Sequence, residues 1–315
     1  MPVAVIVPAF QAESTLGSAL ASVAAQTYAP DEVVVVDDGS SDGTVAVAKQ
    51  WDAQLPLTVV ATATNSGPSA ARRAGITAAT ADVVALLDAD DVWLPDHLEA
   101  MLGAHATTND GLASADTLAW IPGVAVARRP LSHNAPLPAR EKQLAWLLAE
   151  NRLSISSLFS RARYDAVGGF RAEFHGTEDW DLWIRMVRAG AAVARPDHPT
   201  VLYRLSRTAV SSDDRMVAAK RAVLDAAARE GGAEEKRALR VGQRHNRAAA
   251  HLVRAYARAA GGNTAAARLA GIRALRGIRP VALRGAAMAV APRRVLQRRN
   301  DVRYDPAVWM RRYGA

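Results

Sequence analysis

The sequence predicts an α/β protein with a mixed, mainly parallel sheet flanked by helices and with an α-helical C-terminal extension. Apolar, β-rich runs alternate with helix-like segments through the first third of the chain, which is typical of βαβ units. These runs are almost entirely apolar, as expected for strands that are covered on both faces. After about residue 213 alanine and arginine dominate, and no strand-like run returns.

The first elements are expected in strict alternation. Their strand-like runs are 3–9, 32–38, 57–63 and 82–88. The first helix is predicted over 13–26 with Ser14 as its N-cap, the second contains "SDGTVAVAKQW", and the third begins at Pro68. Serine is a favoured N-cap, and proline is favoured at the first helical position.

The middle of the chain is less regular, and its end is helical. Residues 112–135 are expected to be irregular or antiparallel. The other elements of the middle are predicted as helices at 96–106, 141–151, 161–170 and 178–190 and as strands at 154–160 and from 201. The C-terminal helices are predicted at 214–230, 234–260, 264–276 and 281–299. We therefore expect two domains, 1–212 and a basic, Ala/Arg-rich helical region 213–315.

The net charge of +8 conceals a strong asymmetry between the two parts of the chain. Residues 1–214 carry 16 Lys+Arg against 25 Asp+Glu, a net charge of −9, whereas residues 215–315 carry 23 against 6, a net charge of +17. The basic part could lie on a membrane surface through 279–299, where arginines flank an apolar centre. It could instead form helices with a solvated basic face that pack on the first domain or on a second subunit, as in a homo-oligomer. Nucleic acid is not expected, because no recognition motif is present and aromatic residues are few.

Cysteine is absent, which excludes disulfides, thiolate metal sites and cysteine nucleophiles. A reducing compartment fits this composition. The N-terminus lacks the basic region of a signal peptide, and no apolar stretch reaches 18 residues. We therefore expect a cytoplasmic protein, with the inner face of the cell membrane as the alternative location.

Acidic residues gather where two predicted strands end. Asp37 and Asp38 follow the second strand, and Asp88, Asp90 and Asp91 follow the fourth. The carboxyl ends of the strands of an open α/β sheet form its ligand-binding edge. Neighbouring carboxylates repel one another, and Mg²⁺ or Mn²⁺ relieves that repulsion while also holding phosphates. The alternative is a helix N-cap within a solvated turn.

Neither of the common glycine-rich phosphate loops is present. The first strand is followed by "PAFQAES" instead of G-x-G-x-x-G, and no G-x-x-x-x-G-K-[ST] occurs. Any phosphate group would therefore be held by a metal and by basic residues.

Four segments in order resemble the signature of the family-2 inverting glycosyltransferases with the GT-A fold. They are "VIVPAF", "VVVVDDGSSDGT", "NSGPSAARRAGITAATADVVALLDADD" and "GTEDWDLWIRM", within roughly residues 2–210. The resemblance implies a GT-A-like fold and a nucleotide-diphosphate sugar as the donor. It also implies transfer to an acceptor hydroxyl with inverted configuration.

The resemblance also implies roles at the donor. Pro8, Asp37 and Asp38 match positions that contact the base and the ribose. Asp88 matches the first aspartate of a D-x-D motif, near the ribose or the sugar. Arg72 matches a basic residue near the donor sugar and diphosphate.

Further roles concern the metal and the base. Asp90 matches the metal ligand of the D-x-D motif, and Asp91 matches a position that takes the metal in some relatives. Asp179 matches the general base. On a helix that starts near residue 178, Glu178 and Asp181 are rival bases, and the residues alone do not rank the three. Alternatively, these acids merely stabilise a helix N-terminus.

Two departures from the family pattern affect the expected donor site. Arg73 stands where relatives often carry asparagine. Residues 205–207 stand where many carry a histidine ligand, so Arg204 or Arg207 could neutralise the diphosphate instead, since a guanidinium binds phosphate with two hydrogen bonds.

The expected partners are a UDP-, GDP- or dTDP-linked sugar and a glycan or lipid-linked acceptor, as in the assembly of cell-envelope polysaccharide. Two alternatives stay open. A nucleotidyltransferase also uses clustered aspartates with Mg²⁺, and a sugar-nucleotide-binding scaffold would need no catalytic base.

Overall fold

The computed structural model describes residues 1–121, 125–126, 136–204, 214–260 and 263–274. Contacts divide the chain into two compact units. The first comprises Met1–Leu144 and Arg152–Leu205, and the second comprises Ala145–Asn151 and Ser206–Ala315. The domain boundary expected between residues 212 and 213 stays a prediction.

The first seven elements of the first unit alternate between strand and helix as the sequence predicts. The strands are β1 (Val3–Ala9), β2 (Glu32–Asp37), β3 (Leu57–Ala61), β4 (Val83–Leu86), β5 (Val92–Trp93), β6 (Leu112–Ser114), β7 (Thr117–Ile121), β8 (Ala125–Val126), β9 (Ser157–Ser160), β10 (Val193–Ala194) and β11 (Val201–Arg204). The helices are α1 (Leu16–Ala24), α2 (Thr44–Lys49), α3 (Pro68–Ala78), α4 (His97–Ala106), α5 (Arg140–Ala149), α6 (Arg161–Ala166) and α7 (Glu178–Arg188). The division into units falls within α5.

Two sheets organise this unit. The larger sheet has the strand order β10-β6-β9-β4-β1-β2-β3. Its pairs are parallel except for those made by β9, which runs antiparallel to both β4 and β6. The smaller sheet has the order β5-β11-β7-β8. The prediction of a mixed, mainly parallel sheet between helices is confirmed.

Valine-rich strands form the centre of the larger sheet. The residues from Val3 to Val7 in β1 and from Val33 to Val36 in β2 are buried, as required of strands that helices cover on both sides. The same expectation is wrong for β3, whose residues are exposed or only half-buried. Because β3 is the last strand of the sheet, it has a partner on one side only.

Helix α3 packs directly on the centre of this sheet. It begins at Pro68, as predicted. A side chain at Gly75 would come within 2.5 Å of Ile6 Cγ2 and 2.9 Å of Val36 Cγ2, so glycine allows the helix to approach β1 and β2 closely.

The start of α1 differs from the prediction. Its N-cap is Thr15 and not Ser14, and no side chain caps it. The N–H groups of Thr15 and Leu16 donate to the Ala12 carbonyl at 3.0 and 2.9 Å. Because of this turn, the N-cap is one residue later than predicted, and Ser14 does not cap the helix.

Several predicted elements are shorter in the structure. The strand predicted over 82–88 is observed as Val83–Leu86, and the one predicted over 154–160 begins at Ser157, whose hydroxyl donates to the Ser154 carbonyl at 2.6 Å. Residues 112–135 contain β6, β7 and β8, and β7 pairs antiparallel with β8. The antiparallel prediction therefore holds for this pair and for β6 with β9, but it is wrong for β6 with β10 and for β7 with β11, which are parallel.

The second unit is helical in its described part. Its C-terminal helices are α8 (Asp214–Glu230), α9 (Lys236–Ala260) and α10 (Thr264–Ala274), in agreement with the first three predicted there. A side chain at Gly242 of α9 would collide with the Leu148 carbonyl, so glycine permits close packing at this point. The helix predicted at 281–299 lies outside the described residues. Within the described ranges, no helix combines the length and apolarity needed to cross a bilayer.

Candidate active site

The candidate site lies where strand order reverses. The chain proceeds from β1 to β2 and β3 on one side, then returns to place β4 on the other side of β1. In register, Ala9 of β1 lies beside Asp37 of β2, and Ile6 of β1 lies beside Leu86 of β4. The carboxyl ends of three parallel strands therefore meet at a switch point, the usual ligand site of an open α/β sheet.

Three carboxylates converge just after β4. Oxygen atoms of Asp88, Asp90 and Asp91 all lie within 4.8 Å of one another. Asp91 is buried, with only 1% of its surface exposed, and its Oδ1 accepts the Arg204 backbone N–H at 3.0 Å. Burial and the charge of Asp88 raise the pKa of Asp91 to about 8. Three oxygen ligands that repel one another suit a hard divalent cation such as Mg²⁺ or Mn²⁺.

Arg72 joins this cluster to the start of α7. Its Nη2 donates to Asp88 Oδ1 at 2.6 Å, and its Nη1 donates to Glu178 Oε1 at 2.7 Å. Only 5% of the Arg72 side chain and 6% of the Glu178 side chain are exposed. Burial opposes the charge of Arg72, but Asp88 and Glu178 outweigh it and raise the pKa of the guanidinium. The structure thus brings the predicted donor side and the predicted base segment together.

The three acids at the start of α7 have different surroundings. Glu178 is held by Arg72, and Asp181 accepts two hydrogen bonds from Arg185 at 2.9 and 2.6 Å. Both are buried. Asp179 is more exposed than either, and its Oδ1 accepts the Trp180 N–H at 2.7 Å. Glu178 and Asp181, the two alternatives to Asp179 as the base, are therefore both buried and paired with arginines.

The two aspartates that follow Val36 have different contacts. Asp38 accepts the N–H groups of Ser66 and Gly67, the latter at 2.7 Å, so it holds the loop before α3. Asp37 Oδ2 accepts the Ser40 N–H at 3.3 Å, but its Oδ1 is buried without a hydrogen-bond partner. A buried acceptor of this kind is rare unless a ligand or water completes it. The predicted contact of Asp37 with a nucleoside stays a prediction, whereas the Asp38 carboxylate already has three backbone and side-chain donors.

Arg204 also contacts the acidic cluster. Its Nε donates to the Asp90 carbonyl at 2.7 Å, and its guanidinium lies 4.4 Å from the centre of the Trp120 ring. The pKa of the neighbouring Tyr203 is raised to about 12, mainly by burial and to a lesser extent by the negative charges of the aspartate cluster. Sequence reasoning missed Trp120, because its contact depends on β7 and β11 pairing in parallel, with Trp120 opposite Arg204. Residues 205–207 lie outside the described residues.

Of the remaining predicted residues, Pro8 lies half-buried near the end of β1, and Arg73 is exposed on α3. The predicted site residues that the structure describes therefore all belong to the first unit, whereas Arg207 lies outside the described residues. Their individual roles stay predictions.

Comparison with known sequences identifies the family of this chain. A sequence profile described as "Glycosyl transferase family 2" matches residues 4–167, just over half of the chain. A second, described as "N-terminal domain of galactosyltransferase", matches residues 153–208. An uncharacterized glycosyltransferase of Bacillus subtilis, YwdF, is 25% identical over 71% of this chain and 82% of its own length. The succinoglycan biosynthesis protein ExoU of Rhizobium meliloti is 32% identical over 60% of this chain and 58% of its own length.

Solved structures show the same fold. TarS of S. aureus (residues 1–349) has a TM-score of 0.61 at 18% identity, covering 97% of this chain and 93% of that one. A mannosyltransferase of Pyrobaculum calidifontis, in complex with GDP-Man and Mn²⁺, has a TM-score of 0.63 at 22% identity, covering 93% and 86%. TarS has also been solved with UDP. The chain therefore belongs to glycosyl transferase family 2 and has a GT-A-type fold.

Proposed function

We propose that this chain transfers a sugar from a nucleotide-diphosphate donor to an acceptor hydroxyl with inversion at the anomeric carbon. The observation that carries the proposal is the buried bridge through Arg72, which contacts Asp88 on the donor side and Glu178 beside the predicted base. An inverting displacement needs an acid–base group on one side of the sugar and charge stabilisation on the other. The bridge holds both parts in one site.

Asp179 acts as the general base. As the acceptor oxygen bonds to the anomeric carbon, its proton passes to the Asp179 carboxylate, and the bond between the anomeric carbon and the diphosphate oxygen breaks. The nucleoside diphosphate leaves with the bonding electron pair, and Asp179 later releases the proton to solvent. Attack opposite the leaving group inverts the configuration. Glu178 and Asp181 are less suited, because both are buried in ion pairs with arginines.

Asp90 and Asp91 would hold a divalent cation, Mg²⁺ or Mn²⁺. The charge of Asp88 is balanced by Arg72, which leaves the other two carboxylates to bind the ion. Asp90 is the principal ligand in this proposal, because it is exposed, whereas Asp91 is buried and gives one oxygen to the Arg204 N–H. When bound, the cation offsets the negative charge that grows on the leaving diphosphate.

The donor is a UDP-, GDP- or dTDP-linked sugar. Support comes from the solved relatives, one with UDP and one with GDP-Man. Within this chain, Pro8, Asp37 and Asp38 lie at the same edge of the sheet, where the nucleoside would bind. Arg204 stands beside the cation site and would face the diphosphate.

The acceptor is a glycan or a lipid-linked sugar of a cell-envelope polysaccharide. The support is the relative named for succinoglycan biosynthesis. Family membership favours glycosyl transfer over a nucleotidyltransferase or a scaffold.

Replacing Asp90 by asparagine should remove the Mn²⁺-dependent part of nucleotide binding. With UDP or GDP at ~100 times Kd plus Mn²⁺, the wild type should gain about 2.7 kcal/mol of stability. This corresponds to roughly 5–10 °C in Tm for a domain of this size. D90N should lose most of that gain, because the cation loses its principal ligand.

The matched control is Asp165→Asn, which removes an exposed carboxylate from α6. It should keep the full thermal shift. A D90N protein that retains the whole Mn²⁺-dependent shift would contradict the assignment of the metal site.

A further inference from the structure

The longest helix in the described part of the second unit carries a row of exposed arginines. Helix α9 spans Lys236–Ala260. Six of its arginines are exposed and follow one another at intervals of three, four or seven residues: Arg237, Arg240, Arg244, Arg247, Arg254 and Arg258. Residues at these intervals share one face of a helix. We call these six residues the arginine stripe, and with a rise of 1.5 Å per residue it is about 31 Å long.

The charge of the stripe is not offset along its own helix. Residues 236–260 contain one lysine and six arginines and no aspartate or glutamate. No acidic side chain therefore lies one turn away on α9, where such pairs usually form. A straight row of like charges on a solvated face attracts an extended anionic surface more strongly than it attracts a single small anion.

Helix α10 adds exposed apolar side chains in the same unit. Leu269 and Ile272 are 50% and 53% exposed and lie three residues apart, with the exposed Arg268 and Arg273 beside them. Among the described residues of this unit, these two are its exposed large apolar side chains. Apolar residues bordered by arginines suit the boundary between lipid headgroups and acyl chains.

We propose that the arginine stripe is a docking surface for an anionic phospholipid bilayer. Such a bilayer presents negative charge over an area that all six arginines can meet at once, and it accepts apolar side chains at its interface. A single-stranded nucleic acid is a poorer match, because neither Leu269 nor Ile272 is aromatic and base stacking needs aromatic faces. The proposal rests on α9 and α10, not on the predicted membrane segment 279–299, which lies outside the described residues, and it does not depend on the proposed chemistry.

Vesicle co-sedimentation of the full chain tests the proposal. The wild type should bind vesicles in which phosphatidylglycerol makes up about a third of the lipid and should not bind vesicles of phosphatidylcholine alone. The triple variant R240Q/R244Q/R247Q should partition into anionic vesicles about 100-fold more weakly, since each arginine near such a surface contributes about fivefold.

The matched control carries the same change of charge away from the stripe. R215Q/R221Q/R229Q alters three exposed arginines of α8 and should weaken partitioning by less than about tenfold. Both triple variants should have the same Tm as the wild type, because the substituted side chains are exposed. Equal losses of binding in the two variants would overturn the assignment to the stripe.

The wild type supplies a second test that needs no substitution. Raising NaCl from about 0.1 to about 0.5 M should release it from anionic vesicles, because salt screens exposed charges. Binding that does not distinguish anionic from neutral vesicles would overturn the proposal. So would binding to a single-stranded RNA without binding to anionic vesicles, which would identify the partner as a nucleic acid.

Discussion

Asp179→Asn should lower the rate of sugar transfer by about 10²–10⁴-fold, because the acceptor hydroxyl loses the group that removes its proton. Donor binding should change little, since the amide has nearly the shape of the carboxylate and the donor side is held by other residues. The measurement is steady-state transfer with Mn²⁺, together with the donor affinity from a thermal shift. A large fall in kcat with an unchanged donor affinity identifies a group that acts in the chemical step.

Two further variants make this experiment specific. Glu173→Gln removes an exposed acid from the turn before α7 and should leave kcat unchanged. Asp181→Asn removes a buried partner of Arg185. It should therefore lower the free energy of unfolding, while kcat should fall far less than in D179N. If D179N transfers sugar as fast as the wild type, Asp179 is not the base.

Arg72→Met should lower the free energy of unfolding by about 3–5 kcal/mol, because one partner of a buried ion-pair network is lost. The substitution leaves Glu178 buried without its counter-charge and leaves Asp88 facing two other carboxylates. Urea denaturation, with the midpoint and the slope both recorded, measures the change.

The neighbouring residue provides the control for Arg72. Arg73→Met changes the same residue type on the same helix, but Arg73 is exposed, so the free energy of unfolding should stay within about 0.5 kcal/mol of the wild type. The double variant R72M/E178Q should regain part of the lost stability, because the uncompensated buried charge is then removed. An R72M protein with the wild-type urea midpoint would show that the bridge does not stabilise the site.

The centre of the fold was predictable from local sequence. The apolar runs of β1, β2 and β4 are buried as expected, and Pro68 marks the first residue of α3. The acidic cluster was predictable as well, because Asp88 comes directly after the buried apolar run that ends at Leu87 and so reaches the ligand edge of the sheet. In each case a pattern of only a few consecutive residues is enough to predict the local structure.

The connections within the site were not predictable in the same way. Arg72 and Glu178 are 106 residues apart in sequence, and Asp90 and Arg204 are 114 apart, yet hydrogen bonds join each pair. Such contacts depend on how whole elements pack, which local patterns do not encode. The strands that place Trp120 and Arg204 side by side belong to the smaller sheet, where β5 and β8 have only two residues each and show no periodicity.

The configuration of the transferred sugar tests the proposed function most directly. With Mn²⁺, an α-linked UDP- or GDP-sugar and a simple alcohol as acceptor, the one-bond coupling constant between C1 and H1 in NMR reports the configuration of the glycoside, for gluco- and manno-configured sugars alike. We expect the β-glycoside in the wild type and almost no product in D179N. An α-glycoside formed by the wild type would contradict direct displacement with Asp179 as the base.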